Sequence, residues 1–299
     1  MRTLVHLSDL HFGRADEAVV ASLARAVHEL RPDLVVVSGD LTQRARRRQF
    51  QEARAFLDSL PKPQIVVPGN HDVPLYNFAA RLLSPLANYR RYITEDLEPF
   101  YADEEMAVLG VNTARRVAFG SLPFTEGRIN ERQVERVRER LCPLSDEKFK
   151  ILVTHHPFDL PEGHDERKLV GRAAMAMEMI ARCGADLLLA GHLHVSHTGH
   201  TAVRYKTQGH SALVVQAGTA TSTRQRGEVN TFNVLRLRHP HLRIERHVWR
   251  PERAGFAPSV SETFRHTPDG WSRLPDEAAA DFVFDDTTRG PRPDGRPAA

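Results

Sequence analysis

The sequence predicts an α/β protein in which helices flank β-sheets. Over the first two-thirds of the chain, short apolar runs alternate with amphipathic stretches whose apolar residues recur at helical spacing. After Gly191 the pattern changes to closely spaced β-rich segments separated by turn residues, which indicates antiparallel strands. The early alternation favours strands with helices packed against them, and we expect the later strands to complete a second sheet.

The elements of the first part are predicted from these patterns in order. Strands are predicted over residues 3–7, 34–37, 65–67, 107–111, 151–154 and 187–190, each a short apolar run. Helices are predicted over residues 16–30, 50–60, 130–141 and 173–182, where apolar residues share one helical face. Asn130 is a suitable cap for the third helix, and Gly184 ends the fourth.

The remainder of the chain is predicted to be β-rich and then irregular. Strands are predicted over residues 201–206, 212–216, 231–237 and 242–249. Beyond about residue 250 the sequence becomes rich in proline, glycine and charge. We expect residues 1–250 to form one domain, residues 251–284 to be a C-terminal extension packed on its core, and residues 285–299 to be a disordered tail.

The composition is that of a globular protein. The chain has 299 residues, of which 41% are hydrophobic, and this is enough for a substantial core. Charged residues make up 26%, which argues against broad disorder. A net charge of only +3 does not indicate nucleic acid as a partner, whereas a homo-oligomer is compatible with the composition. No run approaches the roughly 18 consecutive apolar residues of a membrane span.

The compartment expected from the sequence is the cytoplasm. The N-terminal apolar stretch is too short for a signal sequence and is better explained as the first strand. The two cysteines, Cys142 and Cys183, cannot build a disulfide framework in a chain of this length, and they fit a reducing environment. We therefore expect both to be buried side chains that fill the core.

Five short polar clusters carry side chains of the types that bind metals, and each cluster closes an apolar run. One such cluster arises by chance in many proteins, whereas five of them describe ligands that converge from the ends of separate strands. The sequence therefore predicts a metal centre. The clusters are Asp9-Leu10-His11, Gly39-Asp40, Gly69-Asn70-His71-Asp72, His155-His156-Pro157 and Gly191-His192-Leu193-His194.

Two of the clusters repeat one arrangement. Asp9 and His11 alternate along the chain, and so do His192 and His194, so each pair points to one side of its segment. Carboxylate oxygen combined with imidazole nitrogen suits Mn, Fe, Zn or Co better than Ca. These clusters therefore predict a borderline divalent ion.

Two other clusters suggest more than one ion. Asp40 directly follows a predicted strand, and Gly39 lets the backbone turn sharply in front of it. The two oxygens of the Asp40 carboxylate could bridge two ions. Asn70 adds a neutral amide oxygen, which coordinates without adding negative charge. Two metal ions are therefore expected.

The order DxH, GD, GNHD, H and GHxH resembles the calcineurin-like metallophosphoesterase superfamily over roughly residues 3–249. The resemblance implies a four-layer αββα sandwich of two mixed sheets flanked by helices, the metallo-dependent phosphatase fold. It also implies two divalent metal ions as cofactors and a phosphoester as substrate. The implied ligands are Asp9, His11, Asp40 and His194 for one ion, and Asp40, Asn70, His155 and His192 for the other.

The resemblance further implies in-line attack on phosphorus by a hydroxide that bridges the ions. His71 resembles the family's histidine that is not a ligand and that contacts the phosphate or protonates the leaving oxygen. Asp72 is expected to orient His71, as a neighbour that fixes an imidazole tautomer. In the doublet His155-His156 the family pattern favours the first residue as the ligand.

The substrate is less determined than the reaction. GNHD, HHP and GHLH most resemble the bacterial class III cyclic-nucleotide and glycerophosphodiester phosphodiesterases, which implies a small diester such as 3′,5′-cyclic AMP. Three alternatives stay open: a nucleotide-sugar pyrophosphatase of the lipid-A type, a DNA nuclease and a metal-poor interaction scaffold. Residues 82–92 are the candidate for the apolar insertion of the pyrophosphatases. We expect specificity to reside in segments 73–100, 115–127 and 157–171.

Overall fold

The structure is a computed structural model that describes residues 1–116, 126–205, 211–223, 229–267 and 270–280, together with Phe282 and Phe284. In these residues the chain forms two β-sheets. The strands are β1 (Arg2–Leu7), β2 (Leu34–Val37), β3 (Gln64–Val66), β4 (Phe100–Ala102), β5 (Met106–Gly110), β6 (Phe149–Val153), β7 (Leu187–Ala190), β8 (His197–His200), β9 (Leu213–Gln216), β10 (Thr231–Arg238), β11 (His241–Arg250), β12 (Gly255–Thr267) and β13 (Gly270–Arg273).

The helices lie mainly between the parallel strands. They are α1 (Glu17–Leu30), α2 (Arg47–Ser59), α3 (Phe78–Leu83), α4 (Ala87–Tyr92), α5 (Glu131–Leu141), α6 (Ala173–Arg182), α7 (Thr201–Arg204) and α8 (Asp276–Ala280), with single 3-10 turns at Asn70–Asp72, Glu166–Lys168 and Pro251–Arg253. The α1 helix begins where the Asp16 side chain accepts the backbone N–H groups of Ala18 and Val19. The α5 helix begins at Asn130, the predicted cap, in a reciprocal pair with Gln133.

The first sheet has seven strands in the order β13-β12-β11-β10-β1-β2-β3. Strands β1, β2 and β3 run parallel, and β10 pairs antiparallel with β1. Strands β11, β12 and β13 continue the sheet by antiparallel pairing. Residues beyond the last predicted strand therefore add two strands to this sheet.

The second sheet has six strands in the order β4-β5-β6-β7-β9-β8. Its four central strands run parallel, and the edge strands β4 and β8 pair antiparallel with their neighbours. Parallel strands direct their carboxyl ends to one edge of a sheet, which brings the residues after them together.

Three apolar clusters show how the layers are stacked. Side chains alternate across a strand, and strands β1, β2, β6 and β7 are buried on both faces. Between the sheets, Leu4 and Val36 of the first pack with Val108 and Ile151 of the second. The outer face of the first sheet packs on α1 and α2, and that of the second packs on α5 and α6. The expected four-layer sandwich of two mixed sheets flanked by helices is confirmed.

One predicted strand is wrong. Residues 201–206 are expected to be extended because β-branched residues are frequent there, but Thr201–Arg204 form α7 and the strand β8 precedes them. Pairing of β8 with β9 ends at His200 opposite Leu213, and the Tyr205 backbone N–H then closes a turn onto the Thr201 carbonyl. The prediction for Lys206, like that of a disordered tail at residues 285–299, lies outside the described residues.

The two cysteines pack in or against the core as expected, but they also form a disulfide, Cys142–Cys183, with 4.2 Å between their Cα atoms. Cys142 caps the end of α5 and Cys183 caps the end of α6. Both helices connect parallel strands of one sheet and lie in the same layer, so their ends are neighbours.

Among the described residues, no helix is long and apolar enough to cross a bilayer.

Candidate metal centre

The predicted ligands lie at the carboxyl ends of parallel strands from both sheets. Asp9 and His11 follow β1, Asp40 follows β2, and Asn70 follows β3. In the second sheet, His155 follows β6, and the pair of His192 and His194 follows β7. The structure brings all seven to one place, and all but His192, which is partly exposed, are buried.

The backbone at these strand ends is unusual. Left-handed φ angles occur at five of the seven predicted ligands, although only glycine adopts such angles without cost. Strain of this kind is concentrated at functional sites, because it persists only where the surrounding structure enforces it. The φ angles are 54° at Asp9, 49° at His11, 52° at Asp40, 72° at His192 and 61° at His194.

One half of the centre is formed by Asp9, His11 and His194. The Asp9 Oδ1 atom lies 3.5 Å from His11 Nε2 and 3.5 Å from His194 Nε2. The rings of His11 and His194 are stacked, with their centroids 5.0 Å apart. Three ligand atoms therefore face a common point.

The other half is formed by Asn70, His155 and His192. The Asn70 Oδ1 atom lies 3.1 Å from His155 Nε2 and 3.0 Å from His192 Nδ1. An amide oxygen and two imidazole nitrogens at these distances can hold a divalent ion.

The Asp40 carboxylate lies between the two halves. Its Oδ2 atom is 3.8 Å from His11 Nε2, and its Oδ1 atom is 3.4 Å from His155 Nε2. Each oxygen therefore faces a different half of the centre. This is the arrangement that a carboxylate shared by two ions requires.

Buried atoms without hydrogen-bond partners show that the residues fit metal ions. Buried polar groups are normally hydrogen-bonded, since leaving one unpaired is costly. Yet Asp9 Oδ1 and both ring nitrogens of His11 are buried and have no such partner. Four sets of three Asp or His residues here hold their ligand atoms within 4.8 Å of one another. The donor set thus matches borderline divalent ions.

The electrostatics keep the carboxylates ionised. Burial alone would raise the pKa of Asp9, but His194 and His11 outweigh it and hold that pKa well below its usual range. Burial also opposes ionisation of Asp40, and His155 lowers the pKa of this group well below its usual range. Burial lowers the pKa of His155, but Asp40 outweighs it and raises that pKa to about 9. A ligand imidazole must give up its proton, so metal binding at His155 competes with protonation of its ring.

A second ring of contacts orients these ligands. The Ser38 carbonyl lies 2.8 Å from His155 Nδ1, and the Thr219 hydroxyl lies 2.7 Å from His194 Nδ1. Each partner takes one ring nitrogen and thereby directs the other nitrogen into the centre. The Ser8 hydroxyl donates to Asp9 Oδ2 at 2.7 Å. The sequence pattern points to none of these partners.

The Thr219 hydroxyl offers a test of this orienting role. Replacing Thr219 with Val keeps the shape of the side chain but removes the oxygen, and we expect metal affinity to fall about 10- to 100-fold. Thr219→Ser should restore most of the loss. Competition with a chelator measures the dissociation constant. If Thr219→Val binds metal as tightly as the parent protein, the hydroxyl does not position His194.

His71 lies at the rim of the centre and is partly exposed. Its backbone N–H donates to Asp40 Oδ1 at 2.8 Å, and its ring packs edge-on against His11 with centroids 4.9 Å apart. The His71 Nδ1 atom lies 2.9 Å from the Gln43 carbonyl, which can only accept. This contact places a proton on Nδ1.

Asp72 has partners other than the one expected. Its carboxylate accepts the backbone N–H groups of Leu41, Thr42 and Gly69 at 2.9–3.1 Å, and also the Thr42 hydroxyl at 3.0 Å. These bonds tie the 3-10 turn that carries His71 to the segment after β2. Asp72 thus positions the backbone of this turn, and its role in orienting the His71 ring stays a prediction.

His156 also lies close to the centre, although the family pattern favours His155 as the ligand of the doublet. Its ring centroid is 4.6 Å from that of His192, and its Nδ1 atom is 2.8 Å from the Thr113 hydroxyl. Together with His155 and His192 it forms one of the sets that could hold a metal ion. The repeated histidine at the end of β6 is the only sequence signal for this.

Glycines allow the strand ends to approach each other. A Cβ atom at Gly69 would lie 2.1 Å from Asp40 Oδ1, and one at Gly191 would lie 1.9 Å from Ser8 Oγ. Neither position can accept a side chain without moving the Asp40 carboxylate or the Ser8 hydroxyl that holds Asp9. The glycines of the GNHD and GHLH clusters thus serve the packing of the centre.

Fold and centre together define a metal-dependent phosphoesterase. The chain belongs to the calcineurin-like phosphoesterase family, whose model matches residues 2–196. The resemblance inferred from the five clusters is thereby confirmed.

Three curated relatives are phosphodiesterases by name. The chain is 40% identical to the glycerophosphodiester phosphodiesterase GpdQ of Enterobacter lignolyticus strain SCF1 over 81 residues, which are 23% of this chain and 29% of that protein. It is 25% identical to the 3′,5′-cyclic adenosine monophosphate phosphodiesterase CpdA of Escherichia coli K12 over 182 residues, 60% and 59% of the two chains. It is 29% identical to a probable cyclic nucleotide phosphodiesterase of Rhodococcus erythropolis PR4 over 213 residues, 65% of each. Each alignment spans less than two-thirds of the relative.

Solved structures agree on the fold. A dimetal phosphatase from Danio rerio superposes with a TM-score of 0.61 at 14% identity, covering 89% of this chain and 99% of that one. A purple acid phosphatase from yellow lupin gives a TM-score of 0.61 at 12% identity, covering 88% and 53%. At such identities the likeness concerns the fold alone.

Proposed function

We propose that this chain is a phosphodiesterase that hydrolyses a small phosphodiester at a centre of two divalent cations, with 3′,5′-cyclic AMP as the first substrate to test. The observation that carries the proposal is the Asp40 carboxylate, whose two oxygens face the two halves of the centre. Asp9, His11, Asp40 and His194 would hold one cation. Asp40, Asn70, His155 and His192 would hold the other.

The charge of the ligand set supports an anionic substrate. Only Asp9 and Asp40 among the seven proposed ligands carry negative charge, so two divalent cations would leave the centre positive. A site of net positive charge attracts phosphate groups. When bound, two such cations supply a water of lowered pKa and neutralise charge on phosphoryl oxygens.

His71 is proposed as the catalytic residue beside the ligands. Its Nδ1 proton is fixed on the Gln43 carbonyl, and its backbone N–H is fixed on Asp40. Nε2 is then the nitrogen left for the leaving oxygen, and it can give a proton only when the ring carries a second proton, as an imidazolium. The role of Asp72 in this proposal is to hold the turn that carries His71.

The names of the relatives support a diester rather than a monoester as the substrate. GpdQ and CpdA are named for a glycerophosphodiester and for cyclic AMP, and their matches to this chain are partial. Mn, Fe, Zn and Co are the proposed metals on the basis of the oxygen and nitrogen donors. We propose residues 1–250 as the catalytic unit.

The disulfide removes one of the arguments for a cytoplasmic location. A cytoplasmic location is expected partly because two cysteines fit a reducing environment. A disulfide between Cys142 and Cys183 is instead more frequent in oxidising compartments. Cytoplasmic location stays a prediction.

The experiment that tests the proposal is reconstitution with metal. Metal-free protein is loaded with Mn, Fe, Zn or Co and assayed on bis(p-nitrophenyl) phosphate, cyclic AMP, a glycerophosphodiester, a nucleotide sugar and single-stranded DNA. We expect about two ions per chain and hydrolysis of the aryl diester and of a small diester. Absence of hydrolysis of both the aryl diester and cyclic AMP at full metal loading would contradict the proposal.

A separate prediction concerns His71. The His71→Ala protein should keep its metal content but lose about 10²- to 10⁴-fold in turnover with poor leaving groups, and much less with p-nitrophenolate. Rates on a series of aryl diesters with leaving groups of increasing pKa measure this dependence. His28→Ala, on the outer helix α1, serves as the control. Equal losses across the series would show that His71 does not protonate the leaving oxygen.

A further inference from the structure

A cavity of about 860 Å³ is lined in part by residues next in sequence to those of the candidate metal centre, and none of its lining residues is a proposed ligand. Its volume lies within the range of small-molecule sites. The residues that line it come from the 73–97 segment and from the 112–116 segment. They are Val73, Leu82, Leu83, Ser84, Pro85, Leu86, Ala87, Arg90, Leu97, Asn112, Ala114, Arg115 and Arg116.

The cavity adjoins the centre at two points of the chain. Val73 directly follows the turn that carries His71. Asn112 and Ala114 flank Thr113, whose hydroxyl lies 2.8 Å from His156 Nδ1. The same two segments therefore contribute both to this cavity and to the contacts of the centre.

The wall of the cavity is held firmly. The Arg81 guanidinium is 2% exposed and donates to the carbonyls of Pro74, Arg115 and Arg116, which joins α3 to the segment after β5. The fully buried Tyr89 donates its hydroxyl to the Val66 carbonyl at 2.9 Å, which anchors α4 on the first sheet. The site is thus preformed.

The chemistry of the lining is apolar with cationic groups. Ser84 and Asn112 are the neutral polar side chains of the described lining. The described lining includes no Asp or Glu, whereas Arg90, Arg115 and Arg116 contribute to it. Arg90 is paired with Glu95 at 3.3 Å, and Arg116 donates to the Leu82 carbonyl. Leu83 at the mouth is 83% exposed. An apolar chain matches this lining.

We propose that this cavity binds an apolar alkyl or acyl group esterified to the phosphorus, so that the preferred substrate is a phosphodiester with one apolar arm. The proposal rests on the proposed phosphodiesterase function and narrows its substrate class. The apolar wall would receive the chain.

A homologous series of substrates tests the proposal. Metal-loaded protein is assayed on p-nitrophenyl alkyl phosphates with methyl, butyl and octyl groups. A fully buried methylene contributes about fourfold in affinity, so we expect kcat/KM to rise at least about twofold per methylene until the cavity is filled. Calorimetry with methyl- and octylphosphonate should show the same order of affinities independently of turnover.

The outcomes separate this proposal from the one on which it rests. A flat or falling series, with the methyl ester still hydrolysed, overturns the apolar site and leaves the phosphodiesterase intact. No hydrolysis of any member overturns the phosphodiesterase, and equal phosphonate affinities then overturn the apolar site as well. Binding to phosphatidylcholine vesicles without a chain-length effect would assign the exposed leucines to membrane attachment and also overturn the proposal.

Two matched variants place the effect in the cavity. Leu83→Glu puts a charge at the mouth, where the exposed position tolerates it, and should flatten the dependence of kcat/KM on chain length. Val203→Glu makes the same change at a side chain that is 86% exposed on α7, outside the cavity, and should leave the dependence as it is. If kcat/KM depends on chain length equally in both variants, the alkyl group does not bind in this cavity.

Discussion

Replacing Asp40 with Asn is expected to remove both metal ions and to lower phosphodiester hydrolysis by on the order of 10³-fold or more, since charge stabilisation at such a centre supplies most of the catalysis. Asp40 is the one proposed ligand whose oxygens face both His11 and His155. An amide offers one neutral oxygen and cannot serve two cations. The amide can still accept the His71 N–H, so the turn should stay in place.

The control for this variant lies at the other end of the same strand. Asp33 precedes β2, is also buried, and accepts the Thr3 backbone N–H at 2.7 Å. Asp33→Asn should therefore change metal content little. Metal analysis of both variants by mass spectrometry decides the matter. An Asp40→Asn protein that keeps two ions per chain would refute the shared ligand.

Replacing Asn70 with Ala is expected to remove one ion and leave the other. Asn70 Oδ1 contacts His155 and His192 but not the half formed by Asp9 and His194. Without this oxygen the second half keeps only two imidazoles and a share of Asp40. We expect close to one ion per chain and a loss of turnover of about 10²- to 10³-fold, since the remaining ion can still polarise the phosphoryl group.

The number of metal ions per chain distinguishes the loss of one ligand from general destabilisation of the fold. Asn88→Ala makes the same change at a half-buried position on α4, where it removes one hydrogen bond to the Ala45 carbonyl, and should keep both ions. Unchanged rates for Asn70→Ala would refute the ligand assignment. Loss of both ions would mean that the two halves bind cooperatively through Asp40.

The metal centre could be predicted because its residues are tied to strand ends. Runs such as 34–37 and 187–190 are apolar on both faces, and this marks buried parallel strands. The residues directly after such strands gather at one edge of a sheet, so the order of the clusters nearly determines which side chains meet. The left-handed backbone angles of these residues could not be predicted in this way, because neither aspartate nor histidine specifies such an angle by its residue type.

The orienting contacts could not be predicted. The Ser38 carbonyl that holds His155 is a backbone group and has no residue type. Thr219 follows β9, which lies next to β7 only because of the strand order of the second sheet. The partners of Asp72 are likewise mainly backbone N–H groups from the segment after β2.

Two features at the periphery escaped prediction for other reasons. The β12 strand is largely exposed along its middle, so its sequence lacks the apolar run by which buried strands are recognised. The disulfide joins residues 41 positions apart, and only the side-by-side packing of α5 and α6 makes them neighbours. Sequence spacing alone cannot show such a pairing.

The left-handed backbone at five of the proposed ligands also affects the stability of the folded protein. These residues raise the free energy of the folded chain at one edge, and bound cations offset that cost by binding only the folded state. Metal-free protein should therefore melt at a lower temperature and exchange amide hydrogens first around residues 8–11, 39–41 and 191–194. Metal supply would then set the protein's lifetime as well as its activity.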